Sequence, residues 1–216
     1  MLRFLKRPGG LDFPVLLSFA YDRFRHLQFV RTGSEVGILR DFLSFDDPSS
    51  PLYGRSVLEI TLPRFTQEQS IDFLKKGFSE IGMMVSDGLI ERAVSKLDGI
   101  VGWLTAFGYR CYVQQTASEE VLESVLSQAR QMIYEEIQEI IRYSENFKYV
   151  LKALAQGAST WKSIKEGAEF LSRKRMTDTS FNRLLTNLVR MGYVEKVPLN
   201  GYKLIDPIVA DVARAL

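Results

Sequence analysis

Between Arg173 and Lys203 the chain concentrates the side chains that hold nucleic acids. Arg173, Lys174 and Arg175 form a basic turn. In the helical register that follows, Phe181, Leu184, Leu185, Leu188 and Val189 share one face. Thr179, Asn182, Arg183, Thr186 and Arg190 share the other. Arginine and asparagine are the side chains that hydrogen-bond base edges in a major groove, and the same outward set reaches phosphate oxygens. Lys196 and Lys203 flank a turn-forming Pro-Leu-Asn-Gly, a position from which lysines contact phosphate. A basic face used for protein contacts is the alternative. Residues 145–216 hold twelve lysines and arginines against seven acids, a surplus of five in a chain whose net charge is only +2. The positive charge is therefore concentrated at this end.

A second set of candidates lies upstream. Thr32, Gly33 and Ser34 close the apolar run 27–32, the place where open α/β sheets put ligand contacts. Locally, the same residues read as a glycine turn with Ser34 capping the next helix. Arg55 follows a Pro-Leu-Tyr-Gly turn, and its plain reading is a surface arginine paired with Asp46 or Asp47. Asp98, Gly99, Ile100, Val101 and Gly102 read as a helix-to-helix turn with Gly102 and Trp103 in the core. His26 reads as a surface residue, Cys111 as packing, and Glu135, Glu136 and Glu139 as a solvated face. One histidine and one cysteine exclude a Ser/His/Asp or Cys/His hydrolase, an intrachain disulfide and a cysteine-built zinc site. No G-x-x-x-x-G-K-[ST] phosphate loop occurs in the 216 residues.

The elements that must position these groups fall into three segments of an α+β chain. Residues 1–65 alternate: a helix over 14–24, a strand at 27–32, a short helix over 35–43, turn formers over 44–54 and a strand at 56–62. Two strands cannot bury both faces of a parallel sheet, so this α/β core reads as incomplete. Residues 66–145 read as helices opened by Thr66, Ser86 and Ser118, the first with a Thr66/Gln69 capping box. Residues 146–216 read as three helices and a hairpin, the winged helix-turn-helix pattern. Ser159 or Thr160 opens the second of these helices and Thr177 the third. No apolar run nears the roughly 20 residues that cross a bilayer, and a cytoplasmic setting is expected.

The stretches AYDRFRHLQFVRTGSEVG, DPSSPLYGR, FLKKGFSE and LDGIVGWLTAFG resemble, in order and spacing, the archaeal ATPase family of the STAND class of AAA+ proteins. GYVEK and YKLIDPIV resemble that family's winged-helix extension. The resemblance implies a partial AAA+ core over 1–65, a helical lid over 66–145 and a winged helix over 146–216. It implies that Thr32 and Ser34 sense the terminal phosphate. It makes Arg55 an arginine finger offered in trans to a neighbouring subunit. Gly99 and Val101 fall in a lid motif near the adenine, with Val101 where proline is expected. The complete family uses ATP and magnesium, on a phosphate loop and an acidic strand that these residues lack. The expected protein is thus a truncated ATPase-like chain, inactive alone, that binds DNA or a protein partner. The alternatives are a half-ATPase working with a separately encoded P-loop subunit, or as a homo-oligomer, and a plain winged-helix transcription factor.

Overall fold

The computed structural model describes residues 12–24, 26–32, 42–60, 62–199 and 201–216. The chain is mostly helical with one small antiparallel sheet, an α+β fold, and it divides into two compact units.

The first unit comprises Met1–Ile60 with Thr186–Gly192. Its helix α1 (Phe13–Arg23) opens on Asp12, whose carboxylate accepts from the Val15 amide, and Pro14 occupies the first turn, where a missing N–H is harmless. A small core of Leu17, Phe42, Leu43 and Leu52 is flanked by Phe13 and Phe45. The strands expected at 27–32 and 56–62 are not present among the described residues. The described residues of both stretches are irregular, and the only described sheet lies elsewhere. The reason is that a strand needs a neighbour to accept and donate its ladder bonds. The expected helix over 35–43 falls largely outside the described residues.

The second unit, Thr61–Leu185 with Tyr193–Leu216, holds the larger core. Helix α2 (Gln67–Glu80) opens with the reciprocal Thr66/Gln69 capping box. Helix α3 (Asp87–Leu97) is capped by Ser86. Helix α4 (Val101–Gln114) and the long α5 (Glu119–Ile141) follow, α5 capped by Ser118. Their apolar stripes meet in one cluster that includes Leu74, Phe78, Leu97, Phe107, Leu122 and Leu126. Phe78 meets Phe107 edge to face, 6.0 Å between ring centroids.

Helices α6 (Asn146–Ala155), α7 (Trp161–Ser172) and α8 (Asp178–Arg190) come next, and the last five residues of α8 are grouped with the first unit. Gly167 of α7 lies so close to α6 that a Cβ there would meet the Ala153 Cβ at 3.0 Å. Strands β1 (Val194–Val197) and β2 (Gly201–Leu204) pair antiparallel, Val194 opposite Leu204. A third edge joins them: Thr160 bridges Gly201, and the Tyr202 amide donates to the Ser159 carbonyl at 2.7 Å. Residues 159–160 thus cap a helix and extend a sheet together. A final helix, α9 (Pro207–Ala215), was not expected from the sequence; Asp206 caps it and Pro207 starts it. Its Ile208 enters the core formed by α2–α5, and Arg214 donates to the Ala155 carbonyl on α6 at 3.2 Å.

Candidate functional site

The turn between α3 and α4 is built as a tight joint. Asp98 adopts the left-handed conformation that ends α3, and Gly99 follows with φ +67°. The Phe65 amide donates to the Gly99 carbonyl at 3.0 Å. A Cβ at position 99 would lie 2.1 Å from the Phe65 carbonyl oxygen, so only glycine fits. Val101 is the first residue of α4 and is partly exposed.

Arg64, Trp103 and Asp206 complete this joint; Trp103, expected in the core with Gly102, is half-buried while Gly102 is exposed, and the sequence did not single out the other two. Arg64 donates to the Asp98 carboxylate at 2.5 Å and also to the Ile205 carbonyl. Trp103 donates its indole N–H to Asp206 at 3.4 Å, and Asp206 accepts from the Ile208 amide at 2.7 Å. Asp206 is buried, and desolvation pushes its carboxyl above the ordinary aspartate range against the pull of those two donors and of Arg64. The approach to α2, the α3–α4 turn and the start of α9 are therefore tied through a few polar side chains. Asp-Pro at 206–207 is a legible helix-start signal, whereas nothing in local sequence points to Arg64.

Arg55 donates to Asp22 at 2.7 Å and to the Pro51 carbonyl, with its guanidinium 5.7 Å from the Tyr21 ring centroid. Its partner is Asp22 rather than the Asp46 or Asp47 expected from proximity in sequence. The Asp47 carboxylate instead accepts from the Ser49 amide and hydroxyl, which hold it below the usual range. Thr32 is exposed at the end of an unladdered stretch; Ser34 and Gly33 lie outside the described residues.

On the helix pair α7–α8, Trp161 and Phe181 meet edge to face at 5.0 Å, and Lys165 donates to Asp178 at 2.5 Å, which raises the lysine's affinity for its proton. The Glu169 carboxylate accepts from the Met176 amide at 2.7 Å and braces the turn. Arg173, itself left-handed at φ 54°, and Lys174 and Arg175 are exposed on that turn. Thr179, Asn182, Arg183, Thr186 and Arg190 are exposed along α8, as the helical register predicts. On the hairpin Lys196 is exposed, and Lys203 pairs with Glu195 at 2.7 Å across the strands.

The sequence spells no phosphate loop, and among the described residues no group of three or more His, Cys, Asp or Glu is placed to hold a metal. Among the described residues no helix is long and apolar enough to cross a membrane.

No protein-family model matches the chain, and no curated protein does. A solved structure does. The fold is similar to that of a Walker-type ATPase of Pyrococcus abyssi, with a TM-score of 0.86 and 36% sequence identity over 99% of this chain. This chain spans 60% of the length of that one. The likeness in both sequence and fold supports kinship with an archaeal ATPase-like family.

Proposed function

We propose that this chain is an ATPase-like regulatory module whose C-terminal part binds duplex DNA as a winged helix. One observation carries the reading: the exposed residues of α8 and of the turn before it are the polar and basic ones, while the hairpin that follows is fixed to residues 159–160. In this reading α8 enters the major groove, with Asn182 and Arg183 at base edges. Arg173, Lys174 and Arg175 meet the phosphate backbone, and Lys196 and Lys203 meet flanking phosphates. Residues 1–65 then form a partial AAA+ core of the STAND type and residues 66–145 its lid. Arg55 would have to exchange Asp22 for a phosphate to act as a finger on a neighbouring subunit.

Fluorescence anisotropy with labelled duplex tests the reading. Binding is expected to weaken steeply with salt, by a log–log slope of about −0.9 per phosphate neutralised. Arg173→Ala combined with Arg183→Ala should abolish it at moderate salt. Salt-insensitive or absent binding would overturn DNA recognition and favour a protein partner for this face.

A further inference from the structure

Phe170 breaks the pattern of its helix. The inward stripe of α7 runs through Trp161, Ile164, Ala168 and Leu171, all buried or half-buried. Two residues on from Ala168 the helix has turned to its far side. Phe170 therefore stands on the polar face, in line with Lys162 and Glu166 at four-residue spacing, and is 83% exposed. It lines an open cleft of about 450 Å³ with Glu166, Glu169, Arg173, Lys174 and Arg175.

The charges of this cleft are unequally engaged. Glu166 lies 3.9 Å from Lys162, one turn back. Glu169 lies 3.8 Å from Lys165 and accepts from the Met176 amide at 2.7 Å. Among the described residues Arg173, Lys174 and Arg175 form no ion pair. Their backbone is nonetheless held. The Ser172 hydroxyl accepts from the Lys174 amide at 3.3 Å and donates to the Lys174 carbonyl at 3.2 Å. Three cations thus border an aromatic ring on a braced turn.

Phosphates alone would need no ring there. A base stacked in a duplex offers only its edges, so a ring meets a base face only where the base is unpaired. Sites for single strands combine cations along the backbone with aromatic side chains on which bases stack. The turn leads directly into α8, whose exposed Thr179, Asn182 and Thr186 mix donors and acceptors as base edges do. An acidic peptide would need donors alone, so nucleic acid is the favoured partner. We propose that Phe170, with Arg173, Lys174 and Arg175, forms a subsite for one unpaired base and its flanking phosphates. The preferred ligand is then a duplex that continues into a single strand. This rests on the DNA-binding reading and adds to it a preference that reading does not contain.

Anisotropy titrations of the full chain test it with one labelled duplex in three forms: blunt, with a 5′ thymidine tail and with a 3′ thymidine tail. At least one tail is expected to tighten binding about fivefold or more. Phe170→Ala should bring the tailed-to-blunt affinity ratio to about one, and Phe170→Trp should restore it. Lys196→Ala should weaken all forms alike and leave the ratio intact. Iodouracil placed in the tail should crosslink to Phe170 on irradiation, as read by mass spectrometry. Phe170 faces solvent, and an unchanged thermal midpoint of the alanine variant verifies folding. Equal binding of blunt and tailed duplexes by the wild type would overturn the subsite and leave the DNA reading standing. So would a ratio that survives Phe170→Ala, or a crosslink elsewhere. No binding of any form would overturn the DNA reading itself and the subsite with it. Capture of a glutamate-rich peptide in place of DNA, lost on Phe170→Ala, would assign the cleft to a protein instead.

Discussion

Phe65 and Gly99 sit backbone to backbone, joined by an amide-to-carbonyl bond of 3.0 Å with no room for a side chain at position 99. This contact locks the approach to α2 against the α3–α4 turn, and Arg64, one residue earlier, extends the lock to Asp98 and Ile205.

Gly99→Ala should therefore unfold the second unit easily. The added Cβ collides with the Phe65 carbonyl and occupies a left-handed conformation, each effect costing of the order of 1–2 kcal/mol or more, about 3 kcal/mol together. Gly77→Ala is the control: it lies on exposed α2 with open space at its Cβ, and should be neutral or stabilising by about 0.5–1 kcal/mol. Urea midpoints for the two variants should move in opposite directions or, at the least, by clearly different amounts.

Asp206 gives the second unit a pH dependence of defined sign. Burial raises its carboxyl above the ordinary value of 3.8, so the folded state holds this proton more tightly than the unfolded chain. Its contribution to stability is full below 3.8 and declines as pH rises through the raised value. Asp206→Asn keeps an oxygen for the Ile208 amide but cannot ionise. The difference in unfolding free energy between wild type and variant, followed across that window, should change in favour of the variant as pH rises. A flat difference would refute the assignment.

Cys111 should behave as a reporter of unfolding. It is fully buried, and desolvation pushes its thiol to about 11. At pH 8 almost no thiolate exists in the folded chain, so a chromogenic disulfide reagent should react slowly and then rapidly once urea opens the second unit.

The two kinds of basic residue in the DNA reading separate by experiment. Arg183→Ala should cost about 1–3 kcal/mol on a preferred duplex and little on others, relaxing specificity. Lys196→Ala should weaken binding to all duplexes alike and reduce the magnitude of the salt slope by about 1. Selected duplexes assayed at several salt concentrations distinguish the outcomes.

Much of the helical architecture was readable in the chain itself. Thr66 with Gln69, Ser86, Ser118 and Thr160 cap the helices whose starts they mark in the sequence, and the apolar register of α5 and α8 matches the buried residues. The basic turn and the outward residues of α8 are exposed as their spacing requires. The strands at 27–32 and 56–62 were read from the same kind of pattern and are not present among the described residues.

The contrast has one cause. A helix closes its backbone hydrogen bonds four residues away, so its caps and faces are local properties that the sequence alone determines, along with the absence of a phosphate loop. A ladder, an ion pair or a joint needs a partner that lies far along the chain or outside it. Tertiary structure alone decided that Arg55 meets Asp22 across 33 residues and that Arg64 reaches Ile205 across 141. It also decided that Ser159 and Thr160 edge the hairpin and that Ile208 fills the helical core, because each of these depends on which distant surfaces the folded helices bring together.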